Sequence, residues 1–325
     1  MAATTEITTR IQCTRCPVTT VDLKLTVSKP SAKTAAALPK ADFLAITWTA
    51  AEAGAMAVVL GGGKYSFKTP ADNNLTPLLI PGLPIPSEAK FHGYFFQANV
   101  NGKSVVCLKS EFHPKLETAA TTLFLEKILG PAASPNIKYL ITSGTSGGIW
   151  QTLDVGDVVV TNSARYGLTG TVEKQTLRFT GTANITGAKP PGYATWYDYV
   201  NDAIIKNDDC VNTGLLTPGG RNAGSGKPAI YYKASGADPT TVVSNSRISD
   251  AECTRIATYR TMGATLDEND AYVAEACKAV KFPNWVSIRN VSDLPCSKNT
   301  KQYDVYQFCS SINGAYAVWA FVMGH

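Results

Sequence analysis

Four short stretches hold the side chains with which this chain could do chemistry. Thr49-Ala50-Ala51-Glu52 places a carboxyl at a helix start, just after an apolar run. Ser143-Gly144-Thr145-Ser146-Gly147-Gly148 gathers three glycines with Thr145 and Ser146 between them. Such a stretch lets backbone approach a ligand closely, and its successive N–H groups suit an anion or a hydroxyl. Asp267-Glu268-Asn269-Asp270 is an acidic run at a second helix start, and Ser292-Asp293-Leu294-Pro295 leaves an apolar run with one carboxyl. His113, before a helix, could touch a substrate hydroxyl. Arg165, beside Tyr166, could meet an anion or a sugar oxygen.

Each of these has a plainer reading. Thr49-x-x-Glu52 is a capping box, in which the glutamate only satisfies the Thr49 backbone N–H. On spacing alone that reading is the stronger one. Thr265-Leu266-Asp267-Glu268 is a second such box, and Asp267, Glu268 and Asp270 complement the positive helix end. Asp293 precedes Leu294-Pro295 as a turn residue would. His113 reads as an exposed loop histidine, and Arg165 as a surface arginine.

The elements that must position these groups follow from periodicity. Asp42–Trp48 reads as a buried strand, followed by a helix over Thr49–Leu60 that Gly61-Gly62-Gly63 stops. If that strand is parallel to its neighbours, Glu52 lies at the carboxyl edge of the sheet, where open α/β sheets bind ligands. Phe91–Val100 and Lys103–Lys109 form a hairpin through Asn101-Gly102. A helix spans Leu116–Leu129. Tyr139–Ile141 and Val158–Val160 are buried strands on either side of the Gly-rich turn and of Asp154-Val155-Gly156-Asp157. Later elements are an aromatic helix at Tyr193–Lys206, a strand at Pro228–Lys233 and a short helix within Asn245–Tyr259. A helix at Thr265–Val280, a strand at Trp285–Val291 and a helix at Asp304–Met323 follow. The order predicts one α/β domain with a mixed, mostly parallel central sheet and helices on both faces. Residues 1–40 form an N-terminal extension with an edge strand at Val21–Val27. Residues 41–325 form the domain, with a loop-rich insertion around 171–240. The five prolines of Tyr65–Lys90 mark a loop that could cover the site.

Composition narrows the class. The 325 residues are 44% hydrophobic and 17% charged, with a net charge of +5, which is ordinary for a globular protein. No basic run or basic-aromatic interleaving points to nucleic acid. The N-terminus lacks an apolar core and Gly314–Met323 is too short to span a bilayer, so neither secretion nor a membrane is expected. Eight cysteines are too few for a disulfide scaffold of this length. Cys13-x-x-Cys16 has no second pair to complete a zinc site, and no His/Cys/Asp cluster has metal-ligand spacing. The expectation is a cytosolic protein without metal or organic cofactor.

The longer patterns are more specific. I-T-W-T-A-A-E-A-G-A-M at 46–56, S-G-T-S-G-G at 143–148, D-E-N-D-A at 267–271 and S-I-R-N-V-S-D at 287–293 resemble, in order, motifs of the nucleoside phosphorylase/nucleosidase superfamily. Those enzymes cleave the N-glycosidic bond of nucleosides. The resemblance implies that Asp293 is the acid that protonates a purine at N7. Its pKa must then be raised by burial or neighbours. It also implies that Glu52 is the base that activates water, as in the methylthioadenosine/adenosylhomocysteine nucleosidases, and that Thr145, with the backbone of Gly144, Ser146 and Gly147, lines the ribose and nucleophile region. In that branch a glutamate of an E-M-E run grips the ribose hydroxyls. Straight alignment sets Asn269 there, while a one-residue shift sets Glu268 or Asp270. An aromatic residue of 166–199 or 231–232 would stack on the base.

The expected activity is therefore a purine nucleoside N-ribohydrolase acting on a small-molecule nucleoside and, as in the family, a homo-oligomer. Phosphorylases have a Gly-Arg phosphate loop after the first strand, and none follows Asp42–Trp48. The rival readings are a phosphorylase, with phosphate as cosubstrate held by Thr145, Arg165 and Arg289, and a non-catalytic nucleoside-binding or transport-linked protein.

Overall fold

The computed structural model describes residues 4–12, 20–28, 34–62, 75–115, 118–130, 136–169, 171–205, 228–232, 242–244, 252–296 and 302–325. Cys13 and Cys16, the first part of the proline-rich loop and most of the loops at 206–241 lie outside them. The chain divides into two compact units, Met1–Thr34 and Ala35–His325. The first is an antiparallel pair, β1 (Thr4–Gln12) with β2 (Thr20–Ser28). The expected strand at Val21–Val27 lies in β2.

The larger unit runs β3 (Phe43–Thr47), α1 (Ala50–Val59), β4 (Thr76–Leu78), β5 (Gly93–Val100), β6 (Lys103–Ser110), α2 (Thr118–Leu129), β7 (Tyr139–Gly148), β8 (Val158–Thr161) and β9 (Ser163–Tyr166). It continues through α3 (Val172–Thr176), β10 (Arg178–Thr180) and α4 (Trp196–Tyr199), then β11 (Ile230–Tyr231) and β12 (Val242–Ser244). The last elements are α5 (Ile256–Met262), β13 (Thr265–Asp267), α6 (Asp270–Ala279), β14 (Trp285–Asp293) and α7 (Gln302–Gly324). One 12-stranded sheet orders its main path β10-β9-β12-β13-β7-β3-β6-β5-β4, with β14 between β7 and β8, and β11 beyond β8.

Both sheet faces are covered. In β3, Phe43 and Ala45 enter one apolar cluster with Met56 of α1 and Val318 and Phe321 of α7, while Leu44 and Ile46 enter another with Phe124 and Ile128 of α2 and Ala274 and Cys277 of α6. Alternate residues of a strand point to opposite faces, so a strand buried on both sides reads as a continuous apolar run. The hairpin forms as its turn predicts: Asn101 and Gly102 both have positive φ, at 52° and 82°.

Several expectations are corrected. The sheet is mixed without a clear parallel majority: six pairings are parallel and five antiparallel. Residues 143–148 are not a turn but the second half of β7, because β14 pairs with 143–147 and β13 with Gly147 and Gly148. Thr265–Asp267 is a strand paired with β7 and β12, so the helix expected from Thr265 begins at Asp270 and no capping box forms there. Leu266 is buried as a strand residue, and tertiary pairing overrides the local helix signal. The aromatic helix at Tyr193–Lys206 is α4 continued by a π-helical turn at Val200–Ile204.

The cysteines differ from expectation as well. Cys107 and Cys277 are buried and free, but Cys253 and Cys296 form a disulfide, and Cys309 is disulfide-bonded too. Disulfides persist in oxidising surroundings, so these bonds run against a cytosolic protein. Among the described residues, no helix is long and apolar enough to cross a membrane, and no cluster of three or more His, Cys, Asp or Glu could hold a metal ion.

Candidate active site

The site is built where β7 outruns β3. The parallel pairing of β3 with β7 ends at Ile46 opposite Thr142, and β13 joins β7 only at Gly147. In the interval, the Thr145 N–H donates to Glu52 Oε1 at 2.9 Å, and the Thr145 hydroxyl donates to the same oxygen at 3.0 Å. Glu52 reaches this gap because α1 starts three residues after β3. Its other oxygen accepts from the N–H groups of Trp48 and Thr49, at 2.9 and 3.0 Å, and Thr49 Oγ1 accepts from Glu52 N. The capping box and the site residue are thus the same carboxylate, one oxygen serving the helix and the other facing β7.

Arg289, on β14, lies beneath this contact with 1% of its surface exposed. Its Nε donates to Asp270 Oδ2 at 2.8 Å, and Nη2 pairs with Asp270 Oδ1 and, at 3.0 Å, with Asp267 Oδ2. Nη1 points to the Thr145 carbonyl at 3.4 Å. Asp270 also accepts from the Ser287 hydroxyl. Asp267 Oδ2 accepts from the N–H groups of Asn269 and Asp270, at 2.9 and 2.8 Å, and so caps α6. The half-buried indole of Trp48 lies 5.1 Å from the guanidinium carbon. Burial opposes the Arg289 charge, but Asp270, Asp267 and Glu52 outweigh it and hold its pKa above the ordinary value. Gly144 is obligatory here: a Cβ would lie 2.7 Å from Glu52 Oε1 and 2.9 Å from Arg289 Nη1.

Asp293 approaches the same strand further on. The β14 register slips between Val291 and Asp293, leaving Ser292 as an extra residue and Asp293 opposite Gly147. Such a bulge re-aims a side chain. A Cβ on Gly147 would lie 3.5 Å from Asp293 Oδ2 and would collide with Pro295. Burial raises the Asp293 pKa, against the Ser292 hydroxyl, which donates to Oδ1 at 2.7 Å. Thr145 and Gly147 are two residues apart and share one face of the strand. Glu52 and Asp293 therefore meet β7 at positions about 7 Å apart along it. Beyond Asp293, Cys296 is tied to Cys253, just ahead of α5.

The other expected residues divide. Asp270 belongs to the buried cluster. Glu268 instead points outward, half-exposed, with His113 at 3.6 Å and Lys115 at 3.9 Å. Asn269 is buried, and its Oδ1 has no hydrogen-bond partner among the described residues. The Ser146 hydroxyl turns into the sheet and donates to the Asn290 carbonyl. Arg165 and Tyr166 are engaged elsewhere: Arg165 Nη2 donates to the Gln175 carbonyl, and the Tyr166 hydroxyl donates to Glu275 at 2.5 Å, amid Phe179 and Tyr272. Trp48 and Asp267 were missed as site residues, and Arg289 was considered only for phosphate. A signal was present: an arginine inside an apolar strand is rarely buried unless an acid pairs with it.

The family model described as the phosphorylase superfamily matches residues 56–308. The chain belongs to that superfamily. Glu52 stands just outside the matched span. A 5'-methylthioadenosine/S-adenosylhomocysteine nucleosidase of Colwellia psychrerythraea is 24% identical over 229 residues, 70% of this chain and 82% of the relative. One of Psychromonas ingrahamii is 36% identical over 72 residues, 22% of this chain and 28% of the relative. Among solved structures, the nucleosidase of Neisseria meningitidis in complex with methylthio-immucillin-A superposes with a TM-score of 0.55 at 15% identity. The match covers 86% of this chain and 97% of the other. Futalosine hydrolase of Helicobacter pylori does so at 0.54 and 11%, over 86% and 97%. These likenesses extend over the α/β fold.

Proposed function

We propose that this protein is a purine nucleoside N-ribohydrolase. The observation that carries the reading is the approach of Glu52 to Thr145 and of Asp293 to Gly147, two residues apart on β7. The activity of the two nucleosidase relatives supports the same class.

Cleavage of the N-glycosidic bond builds positive charge on the ribosyl ring and negative charge on the departing base. Asp293, with its pKa raised by burial, holds a proton to higher pH than an ordinary aspartate and delivers it to the purine. Water enters beside the contact of Glu52 Oε1 with the Thr145 hydroxyl, and Glu52 takes its proton as the oxygen attacks the anomeric carbon. The Thr145 hydroxyl can accept as well as donate, so it can hold this water without vacating its place. Asp270, positioned by Arg289 and Ser287, and the unsatisfied Asn269 Oδ1 are the acceptors for ribose hydroxyls. The carboxylates of the floor stabilise the cationic sugar as it forms.

The test is chromatographic. The protein is incubated with a panel of nucleosides, with and without inorganic phosphate, and the free base and sugar products are separated. The expected result is base and free ribose from a purine nucleoside, at a rate indifferent to phosphate. Absence of base release from every nucleoside sinks the reading.

A further inference from the structure

Three Asn-x-Ser/Thr tripeptides occur in the chain, and the fold gives two of them opposite settings. Asn290-Val291-Ser292 lies in β14, where Asn290 is 1% exposed and Ser292 0%. Asn184-Ile185-Thr186 lies in the loop after β10, with Asn184 and Thr186 both exposed. The third, Asn74-Leu75-Thr76, begins outside the described residues.

Side chains of the 184–186 segment shape it locally. Asn184 Oδ1 accepts from the Thr186 N–H and from the Thr186 hydroxyl, both at 3.1 Å. This Asx-turn needs only three residues to form. The Thr186 N–H can only donate, so it fixes which amide atom faces it. Nδ2 is left with no partner among the described residues. Ile185 packs against the apolar cluster of α1 and α7, and its carbonyl accepts from the Tyr197 hydroxyl at 3.0 Å. His325 Nε2 donates to the Asn184 carbonyl at 2.7 Å, and Ala188 N donates to the Gly324 carbonyl at 2.6 Å. The loop is thus held at the end of α7 while the Asn184 side chain remains exposed. The disulfide Cys253–Cys296 and the bonded Cys309 point independently to an oxidising compartment, such as the secretory lumen in which asparagine is glycosylated.

We propose that Asn184 is an N-glycosylation site, modified by a lipid-diphosphate-linked oligosaccharide in an oxidising secretory compartment. In the transfer, Nδ2 bonds to the anomeric carbon of the first sugar and gives up one proton. The bond from that carbon to the diphosphate oxygen breaks, and the lipid diphosphate leaves with the electron pair. The product is bulky and hydrophilic, which a surface loop accepts and the interior of the sheet at Asn290 does not. The attachment point is also remote from Asp293. The Leu294 N–H donates to Gln302 Oε1 at the start of α7, whereas the Asn184 carbonyl meets His325 just past its end. A helix of 23 residues spans about 30–35 Å. The inference is independent of nucleoside hydrolysis.

The test is production of the full chain behind a secretion signal in a eukaryotic cell, with peptide mapping before and after peptide N-glycosidase. A glycan is expected on the peptide that holds Asn184, with aspartate at 184 after enzymatic release. Asn184→Gln and Thr186→Ala are each expected to abolish it, and Thr186→Ser to retain it. The peptide that holds Asn290 is expected to be bare. Translation of the same chains into microsomes reads attachment as a gel shift and needs no secretion, so a variant that folds poorly still reports. There the wild type is expected to carry one glycan more than Asn184→Gln. A bare Asn184 in the secreted protein overturns the proposal, as does, where none is secreted, an equal shift for wild type and Asn184→Gln in microsomes. A glycan on Asn290 of the secreted protein also overturns it, since exposure would then not decide the site.

Discussion

The floor of the site and the arm that carries Asp293 are built in opposite ways. The floor is over-determined. Glu52 accepts four hydrogen bonds, Arg289 reaches two carboxylates and a carbonyl, and Gly144 is the only residue that leaves room for both. Every one of those partners sits on a strand of the sheet or at a helix start. The arm has a β-bulge, one hydroxyl contact from Ser292, the packing of Pro295 on Gly147, and a disulfide at Cys296. The difference fits the two tasks proposed for these residues. A base and a sugar-binding acid gain from rigid preorganisation, whereas the acid needs a setting that holds its proton and then lets it go.

Several substitutions would break or sharpen that contrast, and the acid arm yields the largest effect. Asp293→Asn keeps the bulge and the shape but has no proton to give, and base release should fall by about a hundred- to ten-thousand-fold in single-turnover assays while nucleoside binding persists. The pH profile follows from the same residue. Burial raises the Asp293 pKa, so both its catalytic competence and its contribution to folding are fully present below the ordinary aspartate range and are lost as pH rises through the raised value. The wild-type rate should therefore show an alkaline limb, which Asp293→Asn should lack.

On the floor, Glu52→Gln should lower hydrolysis by about a hundredfold. Its amide nitrogen must also face donors that the carboxylate satisfied, so the melting temperature should fall, in contrast to Asp293→Asn. An activity loss without a stability change would mean that the floor is less tightly coupled than its hydrogen bonds imply. Gly144→Ala forces a methyl group against Glu52 and Arg289. An overpacking cost of about 1–3 kcal/mol is expected by denaturant unfolding, with roughly tenfold lower activity. The smallest effect on activity belongs to the disulfide. Cys296→Ser should remove about 2–4 kcal/mol of stability and lower activity only a few-fold, because the bulge and Pro295 still direct Asp293. Non-reducing peptide mapping that finds Cys253 and Cys296 as free thiols would remove the tether from the account.

Much of this was legible along the chain, and the gaps have physical causes. The hairpin at Asn101-Gly102, the strand of Phe43–Thr47 and the α1 capping box are local: turn chemistry, apolar runs and cap spacing act within a few residues. The stretch at 143–148 read as a turn because glycines there suggest freedom. The glycines are instead demanded by what lies against them, Glu52 and Arg289 at Gly144, Pro295 at Gly147. The start of α6 was misread for a related reason. Thr265–Asp267 has local helix-cap chemistry, but pairing with β7 and β12 makes it a strand, and the cap passes to Asp267 acting on Asn269 and Asp270. That shift is also why Asp270, rather than Asn269 or Glu268, joins Arg289.

By itself the amino-acid sequence determined which groups are available: a carboxyl at a helix start, an acid after an apolar strand, and glycines where side chains cannot fit. Those are short-range facts, set by residue type and spacing. Only the tertiary structure decided which carboxylates share Arg289, that Glu268 turns outward, and where along β7 Glu52 and Asp293 stand. These depend on strands far apart in the chain being laid side by side, because charges interact through space rather than along the backbone.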